Sequence, residues 1–466
     1  MRSTRRRAAA AATGLALLAV TACGGGGSGG GGGGSTELIV VWTTDTLPDR
    51  VAATEAIIAD FTAQTGIEVD LVGVAEDQFN QVLTSAAAAG ELPDVLGSLS
   101  LSAIRTLGAN DLVDTEANAA IVERLGEDTF AERALELTRD GDEQLGVPDT
   151  SWVQLIYYRK DLLDAAGLAA PDTYEAMLAA AKALDSEQMA GFVGATAPGD
   201  SFTEQTFEHV ALANGCELVD DQGRIMIGSG NCVGAFGFYG DLVSNYSMPG
   251  AQDVDTVRAS YFAGQAAMMI WSTFVLDEMA GLRDDALPSC PQCQADPAFL
   301  AKNTGVVAAL QGPDGQEPAQ FAQVVSWTVA ADSATEPASA FVEYMMSDGY
   351  VDWMAIAPEG KFPVRAGTQE SPTTYVDTWK TLPVGVDRKA PLSEFYGPEI
   401  LDQLTSGLDS ISRWGITQGQ GELIGATQGE LPVAEAVSAV TTGGASAEDA
   451  AARAQQAVQA IADSLR

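Results

Sequence analysis

The chain has 466 residues, 46% apolar and 19% charged, which is enough apolar material for two large domains or three ordinary ones. With 24 Lys and Arg against 64 Asp and Glu, its formal net charge is −40. That excess of acid argues against nucleic acid or an anionic membrane surface as a partner, since both are gripped by Lys and Arg, and the single histidine, His209, excludes His-triad hydrolases and multi-histidine metal sites.

Residues 1–22 read as an export signal. Arg2, Arg5, Arg6 and Arg7 form a positive head, and residues 8–20 form an Ala-rich apolar stretch too short to cross a bilayer. Val20-Thr21-Ala22-Cys23 resembles a bacterial lipobox, which implies that Cys23 is lipidated and becomes the first residue of the mature protein. Residues 23–36 then form a tether. Its core, GGGGSGGGGGGS, cannot pack and behaves as a random coil with a reach of about 20 Å. This arrangement places a globular body just above the outer face of the cytoplasmic membrane. No later stretch has 18 unbroken apolar residues.

The body alternates strands and helices. The run 38–42 is a buried-type strand, 49–65 a helix stopped by Gly66, and 67–71 an alternating strand. Residues 77–89 form a helix ending at Gly90, and 93–96 begin a third strand. This β-α-β-α-β order opens a parallel, doubly wound sheet. Further on, 155–158 is a strand and 161–166 a short helix. Asp172 and Glu175 form a capping box for a helix over 176–184. Residues 415–445, rich in Gly, Gln and Thr, read as a long loop. Ser446 with Asp449 caps a final helix with the apolar stripe Ala451, Ala454, Val458, Ile461 and Leu465.

Five phrases occur in one order. They are AGELPDV at 89–95, LGVPDTSWVQLIYYRKDLLDAAGL at 145–168, ALANGCELVDDQG at 211–223, YFAGQAAMMIWSTF at 261–274 and EGKFPVR at 359–365. Together they resemble the extracellular solute-binding proteins of ABC transporters, in particular the carbohydrate-binding, maltose-binding-like group. The resemblance implies a two-lobed, periplasmic-binding-protein-like α/β fold of the class II type, with doubly wound sheets and three hinge crossings. The crossings are expected near Ser151, Ala309 and Pro363. One lobe is then 37–150 plus 310–362, and the other 151–309 plus 363–466. The implied function is capture of a carbohydrate between the lobes and its delivery to membrane-embedded permease subunits, by a monomer with no cofactor, no metal and no catalytic residue. The competing expectations are a secreted glycoside-active enzyme, a structural surface lipoprotein, or a receptor for a polyol, glycerol phosphodiester or peptide.

Four cysteines remain after Cys23. In an exported chain, Cys216, Cys232, Cys290 and Cys293 read as two disulfides, with 216–232 and 290–293 the local pairings. A four-thiolate zinc site and a redox-active C-x-x-C are the alternatives, the latter weakened by Pro288, Pro291 and Pro297 around the motif.

Sugars offer flat C–H faces to aromatic rings and hydroxyls to polar side chains. The expected contacts are therefore Trp42, Thr44 and Asp45 at the end of the first strand, Ser98 after the third, and Trp152 at the first crossing. Trp271, Ser272 and Phe274 follow at the end of the AAMMI strand. Gln205, Trp327, Arg365 and Tyr396 complete the set by family position. Trp353, Trp379, Trp414 and His209 are expected to serve packing.

Overall fold

The computed structural model describes residues 37–406, 411–416 and 418–465. The export signal, Cys23 and the tether lie outside them. Nine strands form the main sheet: β1 (Leu38–Thr43), β2 (Glu68–Gly73), β3 (Val95–Leu99), β4 (Val147–Arg159), β5 (Met268–Ser272), β6 (Thr304–Val307), β7 (Gln320–Val329), β8 (Phe362–Pro363) and β9 (Ile411–Ser412). The opening β-α-β-α-β unit is present, with β1 parallel to both β2 and β3. Its first helix, Pro48–Thr65, starts on a proline whose missing N–H costs nothing there, and stops at Gly66 with φ +79°. Beyond this unit the sheet turns antiparallel, β3 pairing with β7 and β7 with β4.

The long strand β4 joins two halves of the molecule. Val147–Val153 pairs with β7, and from Gln154 onward the same strand pairs with β5 and β6 instead. Strand β7 changes partner too, with Gln320 and Phe321 beside β9 and the remainder beside β3 and β4. The expected sheets thus run into each other through two shared strands.

Each half has its own aromatic core. In the first, Trp327 packs on Trp353 and Phe341 at 5.0 and 5.7 Å, and Phe61 meets Phe341 at 5.3 Å. Gly97 makes room for this: a Cβ there would lie 2.6 Å from Cε3 of Trp327. In the second, Phe207 on the helix Ser201–Ala213 packs on Phe236, Tyr239 and Trp414. Fully burying such rings is worth roughly 2–3 kcal/mol each.

Several expectations change. Residues 310–319 lie against the second half, where Gln311 bonds Asp172 and Gly312 bonds Ala213, so the partner change falls near Gln320 and not near Ala309. Residues 364–379 stay on the first half. Arg365 donates to the carbonyls of Leu125 and Met346, and Tyr375 packs on Tyr350 at 4.8 Å. The contacts return to the second half where Val386 and Arg388 bond Leu282. The cap of the helix Tyr174–Leu184 is Thr173, whose hydroxyl accepts from Ala176 at 3.1 Å, and not Asp172. The expected loop 415–445 contains two helices, Gly421–Glu430 and Pro432–Thr441. Ser446 does cap the final helix, Ala447–Ser464, accepting from Asp449 at 3.1 Å.

Cys216 pairs with Cys232 and Cys290 with Cys293. The first bridge ties the end of the helix Ser201–Ala213 to the first turn of the helix Gly230–Tyr246. Among the described residues no helix is long and apolar enough to cross a membrane.

Candidate functional site

The site is built where β4 and β7 change partners. Paired antiparallel residues share a sheet face, so Trp152 opposite Gln323 places Trp152, Gln154, Phe321 and Gln323 on one face. Trp152 is half-buried. Its ring lies 5.9 Å from Phe321 and 6.4 Å from Phe274, which is also half-buried. Phe274 follows β5, whose Ser272 pairs with Gln154. The ring is seated against Gly360, where any side chain would overlap it.

One wall is the helix Ser201–Ala213, which begins with Asp200 capping Phe202. Thr203, Glu204, Thr206 and Glu208 on this helix are all buried. Arg413, just after β9, lies over the Phe321 ring at 4.4 Å. It pairs with Glu208 at 3.0 Å and also donates to Gln323. Glu204 has no cation of its own. Burial, reinforced by Glu208 and opposed by Arg413, pushes its carboxyl up to about 8. His209, buried behind this wall, accepts from the Phe321 amide and is held down to about 4 by burial, so it is a neutral packing residue.

The opposite wall comes from the carboxyl end of β1. The hydroxyl of Thr44 donates to the carbonyl of Ser98 at 2.9 Å, and the Asp45 amide donates to Thr43 at 3.1 Å. Ser98 sits at a bulge in β3 with φ +58°, a left-handed conformation that costs a non-glycine residue of order 1–2 kcal/mol. Asp45 pairs with Arg50 at 3.5 Å and with Lys361 at 3.8 Å. Arg50 also lies over the Phe274 ring at 5.3 Å, so it links the β1 loop to the second half.

Many polar atoms here are buried without a hydrogen-bond partner. They include both amide atoms of Gln154, the hydroxyls of Thr203 and Thr206, and Oε2 of Glu204, while Ser151 and Gln320, also unpartnered, lie on the opposite face of the sheet. Leaving such a group unpaired costs roughly 1–3 kcal/mol, so a concentration of them marks a place that receives polar groups. Among the described residues beside the junction, Arg50 and Lys361 share one carboxylate, Asp45, and Arg413 pairs with Glu208.

The structure brings Thr44, Asp45, Ser98, Trp152, Ser272 and Phe274 to this junction, with Trp42 half-buried on β1 and Gln205 half-buried on the wall helix. It takes four expected contacts away. Trp327 is fully buried in the first core. Arg365 is spent on the carbonyls of Leu125 and Met346 and on Thr129. Tyr396 is buried and donates to Leu276 at 2.7 Å. Trp271 is 7% exposed, donates its N–H to Val254 and packs on Phe202, so it supports the wall from behind. Sequence reasoning passed over Gln154, Thr203, Glu204, Glu208, Phe321, Gln323 and Arg413. One signal was available: Arg413 is the only basic residue between Lys389 and Arg453.

Residues 56–383 match the family described as bacterial extracellular solute-binding protein, which is most of the chain. The chain belongs to that family. It is also similar to the putative ABC transporter periplasmic-binding protein YcjN of Escherichia coli (strain K12), at 29% identity over 340 residues, 71% of this chain and 73% of that protein. Solved structures share its two-lobed fold. The GacH receptor of Streptomyces glaucescens, described unliganded and with acarbose, superimposes with a TM-score of 0.67 at 18% identity, over 92% of this chain and 99% of that one. The cyclic alpha-maltosyl-1,6-maltose binding protein of Arthrobacter globiformis gives 0.66 at 19% identity, over 92% and 99%. A solute-binding protein of Agrobacterium radiobacter in complex with ribitol gives 0.63 at 17% identity, over 91% and 98%. This solute-binding protein of the ABC-transporter type therefore carries its buried polar junction within a fold whose two lobes meet at shared strands.

Proposed function

We propose that the protein captures a neutral carbohydrate between its lobes at the Trp152–Gln154 junction and hands it, chemically unchanged, to membrane-embedded ABC permease subunits. One lobe comprises 37–153 with 322–381, and the other 154–321 with 382–406, 411–416 and 418–465. Lipidation of Cys23 and the Gly-rich tether hold this body, as a monomer, at the outer face of the cytoplasmic membrane.

The observation that carries the reading is the set of unpartnered buried amides and hydroxyls beside two half-buried aromatic rings. Gln154 donates and accepts, as a sugar hydroxyl does, and Trp152 and Phe274 offer flat apolar faces to C–H groups. Glu204, protonated at neutral pH, can donate as well as accept. A phosphate or carboxylate ligand would compete with carboxylates already in place, since Asp45 is shared by Arg50 and Lys361 and Glu208 holds Arg413. Acarbose and ribitol, bound in two of the similar structures, and cyclic maltosyl-maltose, for which a third protein is named, are all polyhydroxylated and support the same chemistry. The ribitol complex makes a polyol the second reading.

Thermal-shift screening of the purified protein against neutral mono- and oligosaccharides, polyols, sugar phosphates and peptides tests this. A rise in melting temperature with neutral sugars or polyols is expected. Stabilisation by sugar phosphates or peptides alone would reject the reading. Conversion of a bound sugar to product would favour a glycoside-active enzyme. For the anchor, Cys23→Ala should abolish acyl labelling, and unchanged labelling would reject lipidation at this residue.

A further inference from the structure

The helix Gly421–Glu430 belongs by sequence to the second lobe, yet one side of it lies on the first. Its neighbours along the chain are anchored in the second lobe. Trp414 donates to the carbonyl of Cys216 at 2.8 Å, and Ser244 donates to the carbonyl of Thr441 at 3.2 Å. Within the helix, Ile424 reaches Gly415, beside Val219. The other side packs along the helix Leu101–Ala109, which follows Ser98 and β3 in the first lobe. Ser102 donates to Oε1 of Gln428 at 2.7 Å, and Ser100 lies 3.0 Å from Ser102. Arg105 is held within the first lobe by Asp140 at 3.1 Å and by the carbonyl of Leu137 at 3.2 Å, and its aliphatic stem lies against Gly421. Nearby, Arg133 of the first lobe donates to the carbonyl of Ile411 at 2.9 Å.

The approach is close enough to fix the residue type at two positions. A Cβ on Gly421 would lie 2.5 Å from Cβ of Arg105, and one on Gly425 would lie 2.5 Å from Oγ1 of Thr106. A Cβ on Gly429, on the same helix, would meet nothing within 4 Å. The helix ends at Leu431, which has φ +52° although it is not glycine, and Pro432 then begins the helix Pro432–Thr441. A left-handed residue before a proline is an uncommon conformation, and it marks the joint between the segment that touches the first lobe and the segment packed into the second.

We propose that the helix Gly421–Glu430 is a latch that holds the two lobes closed through contacts of the chain itself, before any solute arrives. The contacts of Gly421, Gly425 and Gln428 involve none of the residues that line the junction. The latch therefore populates the closed state in the free protein, and the ligand adds to an existing bias. This rests on the two-lobed fold and not on the identity of the solute.

The test uses the free, full-length chain in a Cys23→Ser background, with nitroxides at Glu116→Cys and Lys182→Cys, which are exposed positions of the first and second lobe. Pulsed electron–electron resonance reads the interlobe distance without added sugar. The wild-type latch is expected to show a populated short-distance component. Gly421→Ala with Gly425→Val should reduce that component about fivefold or more, the effect of overpacking a close contact, while Gly429→Ala leaves it unchanged. Gln428→Ala, which adds no volume, should shift the distribution in the same direction by less, so the result does not depend on the double variant folding. Absence of the short component in the wild-type latch, its retention in both the double variant and Gln428→Ala, or an equal loss in Gly429→Ala would overturn the proposal. None of these results depends on whether a sugar is the ligand.

Discussion

Replacing Glu204 by Gln should change how stability depends on pH. Glu204 is buried, its Oε2 is unpaired, and burial beside Glu208 raises its carboxyl from 4.5 to about 8. Below about pH 4.5 the group is protonated in both the folded and the unfolded chain and has no effect. Between 4.5 and 8 the unfolded chain ionises while the folded one keeps its proton, so stability falls as pH rises, by ~1.4 kcal/mol per pH unit. Above 8 the folded form ionises too and the slope ends. The full window gives an upper bound near 5 kcal/mol, and relaxation around a buried acid brings the expectation to roughly 2–4 kcal/mol. Glu204→Gln cannot ionise, so its stability relative to wild type should be close to zero at pH 4.5 and should grow toward pH 8. Urea denaturation of both proteins at pH 5, 6, 7 and 8 measures this difference, and the other titrating groups cancel in it. A difference that is constant with pH, or that grows toward acid, would refute the reasoning.

Other substitutions separate the site from its support. Trp152→Ala removes a half-buried ring that meets Phe274, and should weaken sugar binding by tenfold or more, on the order of 1–3 kcal/mol. Calorimetric titration checks this, and unchanged affinity would remove Trp152 from the site. Trp327→Ala should instead cost roughly 3–5 kcal/mol of stability, read by chemical denaturation, because that ring is fully buried on Trp353 and Phe341. Reducing the bridge between Cys216 and Cys232, separated by 16 residues, should lower stability by about 3 kcal/mol, and an unchanged denaturation midpoint for the double serine variant would contradict it.

The parts of the fold legible in the sequence were those where apolar residues run or alternate without interruption. Strands β1 and β2 and the helix between them fall within a residue or two of expectation. Strand β4 was visible only at 155–158, because Asp149, Thr150, Ser151 and Gln154 break its apolar run. Of these, Gln154 lies at the junction, whereas Asp149 accepts from Tyr350 and Trp353 in the first core, so only part of what hid the strand belongs to the site. The helix Gly421–Glu430 was hidden for a related reason: glycine disfavours helix, yet Gly421 and Gly425 are required by the approach of Arg105 and Thr106. Aromatic residues were the least legible. Trp152 and Trp327 both sit on strands beside polar residues, and only the packing of Trp327 beside Gly97 tells a core ring from one that faces the junction. Arg413 and Glu208 lie 205 residues apart, and no local pattern announces that pair.

The central claim is that a polyhydroxylated solute is held at the lobe junction by buried amides. Gln154→Leu tests it most directly, since it keeps the side-chain volume and removes both unpartnered atoms. Isothermal titration of wild type and Gln154→Leu should be made with whichever neutral sugar or polyol gives the largest thermal shift. The account predicts saturable wild-type binding and an affinity loss of roughly ten- to a hundredfold in the variant, with a melting temperature equal to or above that of wild type. Equal affinity in the two proteins would contradict it.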